Sequence, residues 1–207
     1  MQTAQKIAQS LLQIKAIKLS PRNPFTWASG WKSPIYCDNR KTLAYPAVRR
    51  QIAEEFAQLV QRKYADAEVI AGVATGAIAH GLLVAELLEL PFVYVRAKPK
   101  EHGLGNMIEG ELLPNKKVVV VEDLISTGGS SLSALAALRA AQADVLGMVA
   151  IFSYGFEAAQ KSFAEAKCEL TTLCNYNVLI DEAAAQGYVQ PNEMELLKKW
   201  REAPDKL

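Results

Sequence analysis

The chain has 207 residues, half of them hydrophobic, which is enough for one well-buried domain with a small N-terminal subdomain. Its 23 Lys and Arg stand against 22 Asp and Glu, so no overall field favours a nucleic acid or an anionic membrane, and any anion must be held locally. Cys37, Cys168 and Cys174 are odd in number and lack metal or redox spacing, which excludes a simple disulfide framework and points to small buried hydrophobes in a reduced, cytoplasmic setting.

Residues 1–17 lack the basic-then-apolar layout of an export signal, and the most apolar region, 81–95, is interrupted by Glu86, Glu89 and Pro91. Neither export nor a membrane span is expected. Ile7, Leu11, Leu12, Ile14 and Ile17 recur at helical spacing and predict an amphipathic helix over 3–17, closed by Pro21 and Pro24. Residues 25–28 and 33–38 read as two short strands around the turn Ser29-Gly30-Trp31-Lys32, a hairpin with one aromatic face that would form a hood over a site. Aromatics on short strands usually fill a core, so only Tyr36, suited to stack on a planar heterocycle, and Lys32, suited to meet an anion, are expected at a ligand. Phe25, Trp27 and Trp31 would support them.

The one candidate boundary is 41–46, separating an N-terminal helix and hood (1–45) from an α/β body (46–207) within a single domain. Pro46 opens a helix to 62 with the buried stripe Val48, Ile52, Phe56, Leu59 and Val60. Strands at 68–74, 92–96, 118–122, 145–153 and 169–173 then alternate with helices at 77–89, 130–143 and 157–165, and two helices at 180–185 and 192–201 close the chain. Such alternation predicts a mostly parallel central sheet flanked by helices, with ligands at the C-terminal strand ends where the loops 74–76, 98–109 and 122–130 meet.

Residues 118–131 read VVVVEDLISTGGSS. Four valines suit a strand buried on both faces and place Glu122 and Asp123 at its C-terminal end. Ser126, Thr127, Gly128, Gly129 and Ser130 follow with hydroxyls, little bulk and free N–H groups at a helix start, the chemistry of an anion cradle. An ordinary cap by Ser126 or Thr127 would need neither the acidic pair nor the double glycine. Acids beside a phosphate cradle repel a bare phosphate, so sugar hydroxyls are their expected partners. Glu122 and Asp123 would accept from a ribose 2′- and 3′-OH while the loop holds the 5′-phosphate, and Mg²⁺ on the same ligand would offset the charge. Neither GxxxxGK[ST] nor GxGxxG follows this strand.

Two further loops belong to the same expectation. Arg96, Lys98, Lys100 and His102 lie among Gly103, Gly105 and Gly110 in a segment too polar for the core and too long for a routine connection, which reads as a mobile basic lid. Gly72-Val73-Ala74-Thr75-Gly76 follows a buried strand and reads equally as a tight strand-to-helix turn or as a loop whose N–H groups face a diphosphate. His80, just inside the next helix, reads as a packing or surface histidine.

VVVVEDLISTGGS resembles the phosphoribosyl-pyrophosphate motif of the type I phosphoribosyltransferases, and FTWASGWKSPIYCDNR and VRAKPKEHGLGNMIEG resemble the orotate phosphoribosyltransferases, in the form typical of Gram-positive bacteria. The similarity runs over nearly the whole chain. It implies a type I phosphoribosyltransferase fold and transfer of a ribosyl 5-phosphate group from phosphoribosyl pyrophosphate to orotate. The products would be orotidine 5′-monophosphate and pyrophosphate, in pyrimidine synthesis.

By the same resemblance, Arg96, Lys100, His102, Glu122, Asp123, Leu124, Ile125 and Ser126 to Ser130 (Thr127, Gly128 and Gly129 between them) bind phosphoribosyl pyrophosphate. Lys100, His102 and Asp123 are the catalytic set, and Ser126 also contacts orotate beside Tyr36 and Lys32. The resemblance further implies a homodimer whose basic lid reaches the neighbouring subunit's site, and Mg²⁺ held by substrate oxygens with no dedicated protein cage. Nucleic-acid and membrane partners are not implied. Ala28 and Tyr154 stand where some members have a lysine and an arginine, and Gly76 or its neighbours where some carry a further lysine, so the partner of the orotate carboxylate is open. Ala77 and Ala79 replace a more usual Gly and Pro. Two alternatives share the motif: a phosphoribosyltransferase for another base, and a regulator that senses phosphoribosyl pyrophosphate.

Overall fold

A computed structural model describes residues 2–27, 29–98 and 107–205. The first helix, α1 (Thr3–Gln13), is shorter than its apolar spacing predicts, because Lys15 adopts a left-handed φ of 55° and turns the chain. Ile17, at helical spacing from Ile14, instead begins β1 (Ile17–Leu19) and is buried there. The predicted hairpin forms between β2 (Phe25–Thr26) and β3 (Lys32–Ser33). The strand expected over 33–38 is split, however. Pro34 has no N–H to give a ladder, and after it β4 (Ile35–Cys37) leaves the hairpin to pair antiparallel with β1. A 3₁₀ helix, Asn39–Ala44, leads to α2 (Pro46–Lys63), which carries the expected stripe of Ile52, Phe56, Leu59 and Val60.

The body follows the predicted alternation. In chain order come β5 (Val69–Val73), α3 (Ile78–Leu88), β6 (Phe92–Val95), β7 (Ile108–Glu109), β8 (Lys117–Ile125), α4 (Gly129–Ala140), β9 (Asp144–Ser153), α5 (Glu157–Glu165), β10 (Leu170–Asn175), α6 (Tyr176–Ala185) and α7 (Met194–Glu202). The six-stranded sheet has the order β10-β9-β8-β5-β6-β7. Every pair in it is parallel except β6 with the two-residue β7, which was too short to leave a periodic signal in the lid segment.

Side chains of β8 alternate between two cores. Val119 and Val121 join Ile70, Val149 and Ile151 against α1, α2, α3 and α6, whereas Val118 and Val120 join Val69, Met148 and Ala150 against α4 and α5. No described helix is long and apolar enough to cross a membrane.

β8 is longer than its apolar run. Its ladder with β9 continues through Glu122↔Ala150 and Leu124↔Phe152 to Ile125↔Ser153, but its ladder with β5 stops at Gly72↔Val121. The acidic pair therefore lies within the strand, at the point where one edge loses its neighbour. The hood is held against this region by an aromatic cluster. Trp200 of α7 is 2% exposed, packs 5.6 Å from Trp27 edge-to-face, and donates its Nε1–H to the Lys32 carbonyl at 3.0 Å. Trp200→Ala is expected to lower the unfolding free energy by about 3–5 kcal/mol, read by urea denaturation followed by circular dichroism.

Candidate functional site

A cavity of about 510 Å³ opens at the C-terminal end of β8, between the hood exit at Cys37 to Arg40, the loop Ala74-Thr75-Gly76, and the run from Glu122 to Ser131. A second cavity of about 190 Å³ adjoins it, walled by Trp27, Tyr36, Cys37, Leu124, Ser126 and Tyr154. Cys37, Leu124 and Ser126 line both, so the two are continuous.

The turn that leads from β8 into α4 requires one of its two glycines. Gly128 holds φ 87°, and a Cβ there would lie 2.9 Å from the Phe163 ring, so both conformation and space select glycine. Gly128 is also the N-cap of α4 and, being glycine, offers no side chain to cap the helix. Neither Ser126 nor Thr127 spends its hydroxyl as an ordinary cap. The first-turn N–H groups are thereby left for an anion, at the positive end of the helix dipole.

The two acids divide their work. Glu122 is 4% exposed; its Oε1 accepts from the Asp123 N–H at 2.9 Å and its Oε2 from the Ser131 hydroxyl at 2.8 Å. Burial, with the adjacent Asp123 charge second, pushes its carboxyl up to about 8. Glu122 thus ties β8 to the start of α4, in surroundings that favour its protonated form. Asp123 turns into the cavity, its carboxylate against Gly76 so closely that a Cβ on Gly76 would collide with it. Its carbonyl, on the strand edge that β5 has left, accepts from Asn39 Nδ2 at 2.6 Å.

Asn39 is the hub of a buried polar chain. Its own carbonyl accepts from the Thr42 hydroxyl, and that oxygen lies 2.9 Å from His80 Nε2. Because the Thr42 proton goes to Asn39, Nε2 carries the imidazole proton and Nδ1 is bare; Nδ1 has no partner among the described residues. Burial pushes His80 down to about 4, which keeps it neutral. It is a packing histidine that fixes the 3₁₀ helix to α3.

Of the residues expected at a ligand, Glu122, Asp123, Leu124, Ser126, Thr127, Gly128, Gly129 and Ser130 line the larger cavity, and Tyr36 lines the smaller one. Ile125 does not: it is completely buried in the core that Val118 and Val120 share with α4 and α5. Lys32 is exposed, lines neither of these two cavities, and donates from Nζ to Thr26 Oγ1 at 2.7 Å. Arg96 stands 3.5 Å from Glu109 at the start of the lid segment. Lys100 and His102 lie outside the described residues. Cys37 departs from the expectation of a buried hydrophobe: it is half-buried and lines both cavities, its thiol pushed well up by burial and donating to Asn39 Oδ1 at 3.3 Å.

Asp38, Asn39 and Arg40 were not singled out as site residues within the hood segment, although all three line the larger cavity. The signal that could have found them is a polar run, CDNR, directly after an apolar strand.

Gly76→Ala is expected to push the Asp123 carboxylate out of place. It should weaken binding of a ribose phosphate by about tenfold or more in calorimetry while global stability changes little. A second outcome concerns pH. Folded Glu122 keeps its proton to about 8 where its ordinary value is 4.5, so between these values the unfolded chain binds fewer protons and this side chain's contribution to stability falls as pH rises. Glu122→Gln should flatten that decline in urea titrations run from pH 5 to pH 8.

The family model described as a phosphoribosyl transferase domain matches residues 41–185. The orotate phosphoribosyltransferase of Porphyromonas gingivalis is 58% identical over 96% of this chain and 95% of its own, and that of Lactococcus lactis subsp. cremoris is 56% identical over 98% and 97%. Among solved structures, the orotate phosphoribosyltransferase of Aeropyrum pernix superposes with a TM-score of 0.74 at 25% identity, covering 89% of this chain and 99% of that one.

Proposed function

The chain belongs to the orotate phosphoribosyltransferases, and on that premise we propose how its paired cavities perform the transfer. The reaction moves a ribosyl 5-phosphate group from phosphoribosyl pyrophosphate to N1 of orotate, giving orotidine 5′-monophosphate and pyrophosphate in de novo pyrimidine synthesis. The observation that carries the assignment of roles is the uncapped N-terminus of α4 beside the inward-facing Asp123 carboxylate, opening directly onto an aromatic-walled slot.

The 5′-phosphate sits on the N–H groups and hydroxyls of Ser126 to Ser130, with Leu124 forming the wall toward the base. Asp123 accepts from the ribose hydroxyls, and Glu122 holds Asp123 and α4 in register from behind. The diphosphate lies along Ala74-Thr75-Gly76. The base enters between Tyr36 and Ser126, with Tyr154 and Trp27 behind it.

As the bond from C1′ to the diphosphate breaks and the bond to N1 forms, positive charge develops on the ribosyl centre. Asp123 is the carboxylate nearest that charge, so its effect grows toward the transition state. Arg96 and the lid residues Lys100 and His102 steady the departing diphosphate and exclude water. The lid works on the neighbouring subunit, so the active unit is a homodimer of single-domain chains in the cytoplasm. Among the described residues no three His, Cys, Asp or Glu side chains gather as a metal site. Mg²⁺ would enter with the substrate, with the Asp123 carboxylate as the residue that would help to hold it, and it would supply charge neutralisation to the departing diphosphate.

Purified protein with Mg²⁺ and phosphoribosyl pyrophosphate should consume orotate and leave uracil, adenine, hypoxanthine and xanthine unchanged. Lys100→Ala should lower kcat by about 100-fold or more. An unchanged kcat would remove the lid from the mechanism.

A further inference from the structure

Orotate is an anion, and its carboxylate is carried on C6, next to the N1 that bonds to C1′. Whatever the base's tilt, that carboxylate must lie at the junction of the two cavities beside the ribose. The walls of the smaller cavity offer rings, a thiol and hydroxyls but, among the described residues, no cation. A carboxylate brought there without a charged partner would lose hydration with little in return.

Arg40 is the one cation among the described residues that line the larger cavity. Its Nε donates to Asp38 Oδ1 at 2.9 Å, which fixes the root of the planar fork, and its side chain is 63% exposed, which leaves the Nη groups to solvent. Beyond Asp38, the groups whose fields reach the guanidinium are Asp123 and Tyr36. Arg40 follows three residues after Cys37, which lines both cavities, so it belongs to the wall of the larger cavity that borders the smaller one. The competing described cations are engaged elsewhere: Lys32 on Thr26 in the outer hairpin, and Arg96 toward Glu109.

We infer that Arg40, held by Asp38, is the specificity-determining residue that takes the C6 carboxylate of orotate through its Nη groups. The fork geometry of a guanidinium matches a carboxylate with two parallel hydrogen bonds, which a lysine ammonium cannot reproduce. Uracil, which lacks the carboxylate, gains nothing from this residue, so Arg40 separates the two pyrimidines. The inference rests on orotate being the acceptor.

The test compares two nucleotides that differ only in this group, orotidine 5′-monophosphate and uridine 5′-monophosphate, by calorimetry on the whole protein. Arg40→Gln should weaken the orotidine nucleotide about 10- to 100-fold and leave the uridine nucleotide within about twofold, which also reports an intact fold. Arg40→Lys should recover part of the loss. In turnover, the KM for orotate should rise while that for phosphoribosyl pyrophosphate holds.

Equal weakening of both nucleotides, or of neither, would overturn the assignment. So would a rise in KM for phosphoribosyl pyrophosphate and, in the reverse reaction, for pyrophosphate in place of orotate, since that would put Arg40 on the diphosphate. Loss of the orotidine preference in Lys32→Ala rather than Arg40→Gln would transfer the role to the hood. Failure of the unaltered protein to consume orotate is a separate result, which removes the acceptor assignment and this inference with it.

Discussion

The site depends on an inequality of strand length. β9 accompanies β8 to Ile125, whereas the ladder with β5 ends opposite Val121. Had both neighbours run on, Glu122 to Leu124 would be closed in by hydrogen bonds on two edges and no cavity could form there. Had both stopped, the acids would lie on a free loop. With one edge paired and one open, the strand holds Asp123 with the precision of a sheet while exposing it to a ligand. The open edge does not go unsatisfied, because the Asn39 amide supplies the donor that a β5 residue would have given.

That substitution of a side chain for a strand joins the hood to the reacting end of the molecule. The path from Asp123 through Asn39 and Thr42 to His80 crosses from β8 to the 3₁₀ helix and then to α3, the helix that follows the loop Ala74-Thr75-Gly76. Buried hydrogen bonds of this kind contribute modestly when made and are expensive when broken, so they set relative position more than they add stability. The neutral state of His80 belongs to the same logic. A buried imidazolium facing Thr42 would have no anion to meet, and burial alone holds its proton affinity down.

Legibility in the sequence followed how local the cause was. The valine run, the cradle glycines and the order of strands and helices could all be read, since each depends on short-range periodicity or on backbone conformations that glycine alone tolerates. The end of α1 could not, because Ile17 continues a helical spacing yet is buried by a strand that pairs with residues 35–37. The hood's division at Pro34 was available in principle from the missing N–H, but which partner each half would choose is a tertiary matter. Ile125 was read with its neighbours as part of a binding run, although β8 extends through it and buries its side chain in the core against α4 and α5. Asp38, Asn39 and Arg40 were missed for the complementary reason: their role arises from an edge 84 residues away from Asn39 in the chain.

The charge of the larger cavity looks wrong for its ligand until its states are assigned. Asp38, Glu122 and Asp123 line it against Arg40, and a bare polyanion would be repelled by three carboxylates. Arg40 offsets Asp38 by direct contact, and burial, which raises the Glu122 carboxyl, weakens a second charge. Asp123 is then the one uncompensated carboxylate, and it lies where hydroxyl donors and a developing ribosyl cation are expected. In the proposed mechanism the cradle, by contrast, attracts the phosphate with N–H dipoles and no formal charge at all. Each end of the cavity therefore holds its portion of the ligand by a different kind of electrostatics. A substitution that ionised Glu122 would disturb the phosphate and the ribose together, because the same carboxyl touches Asp123 and Ser131.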